Sequence, residues 1–158
     1  MLVLLPPSEG KDAPSRGAPL DLDALDHPTL GPPRQEVLDA LARASAADDA
    51  CTVLGVGPTL ATEVARNTAL RSAPTAPARE VYTGVLYAAA GLSGLDGAAA
   101  ARAAGTVRTV SALWGLVSPD DRIPAYRLSM GTDLPGPGPL ARFWRPHLGD
   151  ALAGRTGL

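Results

Sequence analysis

Residues 110–131 read VSALWGLVSPDDRIPAYRLSMG, an apolar run that breaks into a knot of acids, arginines and hydroxyls. From Val107 to Leu113, apolar and small polar residues alternate, which predicts a strand; the run on to Val117 carries its exit turn at Gly115. Ser118-Pro119-Asp120-Asp121 is a turn signature, because aspartate can bond the backbone that follows it. Arg122, Tyr126 and Arg127 then fall within six positions. Guanidinium forks suit carboxylate or phosphate, and Tyr126 adds a hydroxyl. The same charges also suit an internal lattice, Asp120 or Asp121 against Arg122 or Arg127, that braces a long loop.

A second strand with a polar exit lies at the start of the sequence. Leu2-Val3-Leu4-Leu5 is continuously apolar, as expected of a strand buried on both faces. Pro6-Pro7 ends it, since neither residue can donate to a ladder. Ser8-Glu9-Gly10-Lys11 follows. A lysine just beyond a strand can hold a phosphate or carboxylate as a point charge, although the glycine frame of a Walker loop is absent and a solvated turn has the same composition. The expected anion cleft comprises Ser8, Lys11, Tyr82, Ser111, Arg122, Tyr126 and Arg127, with Tyr82 and Tyr87 placing hydroxyls at the rim of VYTGVLY.

Between these strands the chain reads as helices and proline-rich connections. Residues 12–33, with Pro14, Pro19, Pro28, Pro32 and Pro33, read as an irregular surface arm. Helices are expected from Arg34 to about Ala47, from Thr59 to Leu70, from Ala98 to Ala104 before Gly105, and from Leu140 to Leu152 despite Pro146. Residues 72–78 read as a connection, and Val81–Leu92 fits either a buried helix or a strand running into one. Strands and helices in this order indicate a mixed α/β (α+β) domain spanning 1–158, with strand order open.

The stretch LGVGPTLATEVARN, residues 54–67, has the form of a helix-hairpin-helix element. A glycine hairpin before a helix exposes backbone N–H groups that can take a DNA phosphate without reading sequence. Gly55, Val56, Gly57 and Thr59 would form that grip, with Arg66 adding charge. The competing reading is an ordinary helix-to-helix turn that uses glycine for positive φ.

Composition narrows the function classes. The formal charge of −2 supplies no global positive field for nucleic acid, so a DNA contact needs a local basic face. With Cys51 as the single cysteine, no internal disulfide can form, and a reducing cytoplasm is the expected location. MLVLL is too short for a signal sequence and no run is long enough to span a bilayer. His27 and His147 stand apart without ligand-spaced partners, so neither a metal site nor another cofactor is expected. No nucleophile elbow or serine-activating histidine occurs, which argues against an enzyme of those types. Trp114 and Trp144 read as packing anchors.

Taken together, LLPPSEGK at 4–11, YTGVLY at 82–87, SALWGLVSPDDRIPAYRLSMG at 111–131 and FW at 143–144 resemble the YaaA peroxide-stress family. The resemblance implies a mixed α/β fold of the family's own type, a cytosolic location and a helix-hairpin-helix that binds DNA. It also implies a role in limiting intracellular iron and DNA damage during hydrogen peroxide stress, with no established catalytic reaction. The family's positive cleft maps onto Lys11 and the Arg122–Arg127 loop, and its hairpin onto residues 54–61. Family members continue beyond the FW block, so the sequence is expected to be a shortened member or a fragment. The leading expectation is weak, sequence-independent DNA binding. The alternative is an enzyme or binding protein for a small anionic ligand.

Overall fold

The computed structural model describes residues 1–153. In chain order the elements are β1 (Val3–Leu5), α1 (Gly31–Ser45), α2 (Ala50–Val53), α3 (Ala61–Arg66), β2 (Ala76–Pro77), α4 (Ala78–Val81), α5 (Val85–Ala90), α6 (Gly97–Thr106), β3 (Val107–Ser111), β4 (Gly115–Val117), β5 (Arg122–Ile123), β6 (Asp133–Leu134), β7 (Gly138–Pro139) and α7 (Leu140–Ala153). The main sheet runs β1-β3-β4 and is mixed. β1 lies parallel to β3 with Val3 opposite Val107, and β3 turns back antiparallel into β4 with Ser111 opposite Gly115. The expected mixed α/β class is therefore the observed one.

The turn between β3 and β4 is where the opening stretch fixes the core. Ser111 Oγ accepts the N–H groups of Leu113 (3.2 Å) and Trp114 (3.0 Å), which folds the chain sharply after the strand. Gly115 completes the turn at φ +73, and a Cβ there would stand 2.7 Å from the Trp144 ring. Only glycine meets both demands. The strand predicted to Leu113 thus stops at Ser111, and Gly115 opens the next strand rather than closing the first. Trp114 and Trp144 are fully buried, and Trp144 Nε1 donates to Ala112 O at 2.7 Å.

Several expectations are corrected. β1 is not buried on both faces: it forms an edge of the sheet among the described residues, with Val3 36% and Leu4 46% exposed. An apolar run shows that a strand prefers burial, not that neighbours cover it. α1 begins earlier than expected, because Pro32 and Pro33 fit its first turn, where no N–H partner is needed. The 12–33 arm is pinned inward by Leu25 and Leu30, both buried. The ambiguous 81–92 stretch breaks at Tyr82–Gly84 into α4 and α5. Gly105 sits within α6, and α7 runs through Pro146. Among the described residues, no helix is long and apolar enough to cross a membrane.

Candidate anion site

The polar exit of β1 is zipped to the α4–α5 break. Asp12 N–H donates to Val81 O (2.8 Å), Thr83 N–H donates to Gly10 O (3.0 Å), and Lys11 and Tyr82 form an antiparallel bridge. Ser8 Oγ reaches Gly10 O at 2.8 Å and also the Thr83 carbonyl. These bonds hold Lys11 beside the buried Tyr82. From the other side, the 118–127 loop brings Tyr126 against both. The Tyr126 hydroxyl lies 2.6 Å from Ser111 Oγ and 2.9 Å from the Tyr82 hydroxyl. Because Ser111 Oγ already accepts two backbone N–H groups, its own proton points to Tyr126. Burial pushes the Tyr126 phenol up to about 12 and raises Tyr82 as well, so both stay neutral.

Lys11 Nζ donates to Ser8 O at 2.7 Å and lies 4.3 Å from the centre of the Tyr126 ring, a cation–π contact. Its amine is brought down to about 8, first by burial and then by the guanidinium of Arg127; Glu9 and Glu63 oppose that shift. Arg127 carries the ion pairs of the site: Nε and Nη2 donate to Glu63 Oε2 (3.0 and 2.5 Å), and Nη1 lies 3.3 Å from Glu9 Oε2. Lys11, Glu63, Arg66, Ala125 and Tyr126 line a hollow of about 10 Å³. The exits of two distant strands thus converge on Tyr126.

The loop is not braced by the lattice expected of it. Asp121 accepts the N–H groups of Asp26 (3.0 Å) and Ser118 (2.9 Å), closing its own turn. Asp120 faces Arg79 at 3.6 Å, and the exposed Arg122 donates to Thr75 O at 2.7 Å. Carboxylates this close to backbone N–H groups satisfy the turn before they reach an arginine. The brace comes from Asn67, which the sequence reading passed over. Its Nδ2 donates to Arg127 O (2.9 Å) and Ser45 Oγ (3.1 Å), while its Oδ1 accepts Arg127 N–H (3.0 Å). Asn67 lies three residues after buried Val64 on the same helical face, which is the signal that would have found it. Replacing Asn67 with Ala strips both backbone partners from Arg127. The expected loss is about 1–3 kcal/mol in urea unfolding, with weakened anion binding.

The glycine turn at 54–60 leads into α3, the helix that reaches this hollow. After α2, Gly55 adopts φ +67, Val56 N–H returns to Cys51 O at 2.9 Å, and Pro58–Leu60 forms a 3-10 turn leading into α3. Gly55, Gly57, Thr59 and Arg66 are exposed, and Val56 is partly buried. α2 is a single helical turn, so the pair does not by itself amount to a helix-hairpin-helix. α3 nevertheless carries Glu63 and Arg66 directly into the Lys11 hollow.

The sequence model for the peroxide stress protein YaaA matches residues 1–157. Among curated proteins, the UPF0246 protein of Streptomyces coelicolor is 50% identical over 99% of the chain and 61% of its own length. That of Corynebacterium efficiens is 48% identical over 98% of the chain and 62% of its own. A UPF0246 protein of Salinispora tropica is 30% identical over 97% of the chain and 57% of its own length. The chain thus spans about three-fifths of the length of these relatives. With the match running through the Lys11 exit, the glycine turn and the 110–131 stretch alike, the chain belongs to the YaaA peroxide-stress family.

Proposed function

We propose that the chain serves the peroxide-stress response by binding duplex DNA through phosphates, without sequence preference. The turn at Gly55–Thr59 and the Lys11 hollow act as one surface. The observation that carries this is the position of Arg66: it ends α3, the helix that follows the turn, and also lines the hollow with Lys11 and Tyr126. Turn N–H groups can take one phosphate while Arg66 and Lys11 take the next. Cations that neutralise phosphates release the counterions held there. Displacing loosely held ferrous ions in this way would limit iron-dependent damage without an iron site on the protein. The net acidity keeps affinity low and strongly dependent on salt.

A fluorescence-anisotropy titration with duplex DNA at low salt tests the proposal. The Gly55→Ala/Gly57→Ala double variant is expected to bind about tenfold more weakly, since an alanine at φ +67 is strained and distorts the turn. Undiminished affinity in the double variant overturns the turn's role. The second reading, a small anionic ligand, is favoured by the closeness of Lys11 and Arg127. It predicts that inorganic phosphate protects the chain from thermal unfolding equally in the parent and the double variant.

A further inference from the structure

We propose that Lys11 forms an imine with the C1′ aldehyde of an abasic deoxyribose in duplex DNA, and that Glu63 accepts the proton whose removal cuts the strand. This rests on the DNA-binding reading above. Lys11 is the single lysine among 14 lysines and arginines. An arginine serves as well for a fixed charge, but only an amine can deprotonate and attack carbon. The side chain is partly buried, its Nζ held by Ser8 O and the Tyr126 face. Arg127, Glu9, Glu63 and the Tyr82 ring also surround it. Desolvation and a neighbouring cation are the two devices that make a lysine nucleophilic, and here they leave about a tenth of the amine neutral at pH 7.

The size of the hollow selects the substrate. About 10 Å³ holds roughly one water, hence a carbonyl oxygen but not a base. An abasic sugar presents a small aldehyde where an intact nucleotide presents a ring. Arg66 and Ala125 are shared with an adjoining groove of about 240 Å³ whose walls include Pro14, Leu70 and Pro74. That groove offers apolar contact for the sugar, with Arg66 for its phosphate. The neutral amine adds to C1′, a proton passes from nitrogen to oxygen, and uptake of one proton from solvent with loss of water gives the protonated imine. Glu63 takes a C2′ proton, the released electron pair forms the C2′–C3′ double bond, and the C3′–O bond breaks to free a 5′-phosphate end. Water then hydrolyses the imine, restoring Lys11 and leaving an unsaturated aldehyde on the other strand end. No oxidant or reductant is consumed.

The test mixes the full chain with a duplex bearing one abasic site in the presence of borohydride, which fixes an imine as a stable amine. The expected result is a covalent protein–DNA adduct that peptide mapping places on Lys11; the chain's amino terminus is its only other primary amine. Lys11→Arg and Lys11→Met are each expected to reduce the adduct at least a hundredfold. The parent should also bind a duplex carrying a tetrahydrofuran analogue, which lacks the aldehyde. An adduct on the terminus, or one that survives both substitutions, overturns the proposal. Binding of the analogue duplex by the parent with no adduct on the aldehyde duplex overturns the imine while leaving DNA binding intact. Failure to bind either duplex overturns both readings. An adduct with free deoxyribose 5-phosphate but none with duplex overturns the assignment to DNA.

Discussion

Replacing Arg34 with Met is expected to lower stability by about 3–5 kcal/mol, the range for removing one partner from a buried, charged hydrogen-bond set. The Arg34 side chain is fully buried in α1, and burial brings its guanidinium down to about 10. Nε donates to Trp114 O (2.8 Å), and Nη2 donates to Leu116 O (2.7 Å) and Asp26 O (2.7 Å). Two of those carbonyls flank Gly115, so the guanidinium clamps the turn from which Ser111 reaches Tyr126. Methionine fills comparable space but leaves the carbonyls without donors. For a domain of this size the loss corresponds to a fall of about 6–20 °C in melting temperature. Lys should restore less than half, because an ammonium lacks the planar fork that spans both sides of the turn. Thermal and urea unfolding of the two variants check this, and a Met variant as stable as the parent would show that the clamp is dispensable. The effect should also reach the anion site, since contacts run from that turn through Ser111 and Tyr126 to Lys11.

Arg34 also shows how far the sequence can be read. It lies in phase with Val37, Leu38 and Leu41, so helical periodicity alone places it on the buried face of α1. Its partners could not be read, because they are carbonyls of a turn eighty residues further on. The same holds elsewhere. Two strands with polar exits were legible from apolar runs and punctuation, whereas nothing in those runs brings Lys11 to Tyr126. The edge position of β1 was not legible, because an apolar run carries no information about what covers it. The brace of the 118–127 loop was misread for a related reason. Local charge pairing within PDDR gave way to backbone N–H groups close to Asp121 and to Asn67, sixty residues away from Arg127. Short-range chemistry survives from sequence to structure; contacts between separate segments depend on packing that no single segment encodes.

Lys11→Met should make the protein more stable at neutral pH and less able to bind DNA. Folding lowers the amine from 10.5 to about 8. At about 1.4 kcal/mol per tenfold change in proton affinity, keeping it protonated at pH 7 costs roughly 3 kcal/mol, before allowance for partial exposure. The lost hydrogen bond to Ser8 O offsets about 1 kcal/mol. A net gain of about 1–2 kcal/mol is expected for Met, whose thioether suits the Tyr126 ring. The pH dependence fixes the sign. Between about 8 and 10.5 the unfolded chain binds the Lys11 proton and the folded chain does not, so parent stability rises with pH through that window. Methionine's advantage should therefore be full below pH 8 and should shrink as pH climbs toward 10.5. Comparing the two proteins at each pH cancels the tyrosines, which titrate in both. Urea midpoints across pH 6–10.5 measure the gap, while anisotropy at pH 7 should show duplex binding weakened about tenfold. A Met variant less stable than the parent at pH 7 would mean that the ammonium is held comfortably by Ser8, Tyr126 and the flanking carboxylates. The desolvated amine on which the imine chemistry depends would then be absent. A cation kept at a cost to folding is the pattern expected where the group is retained for what it binds.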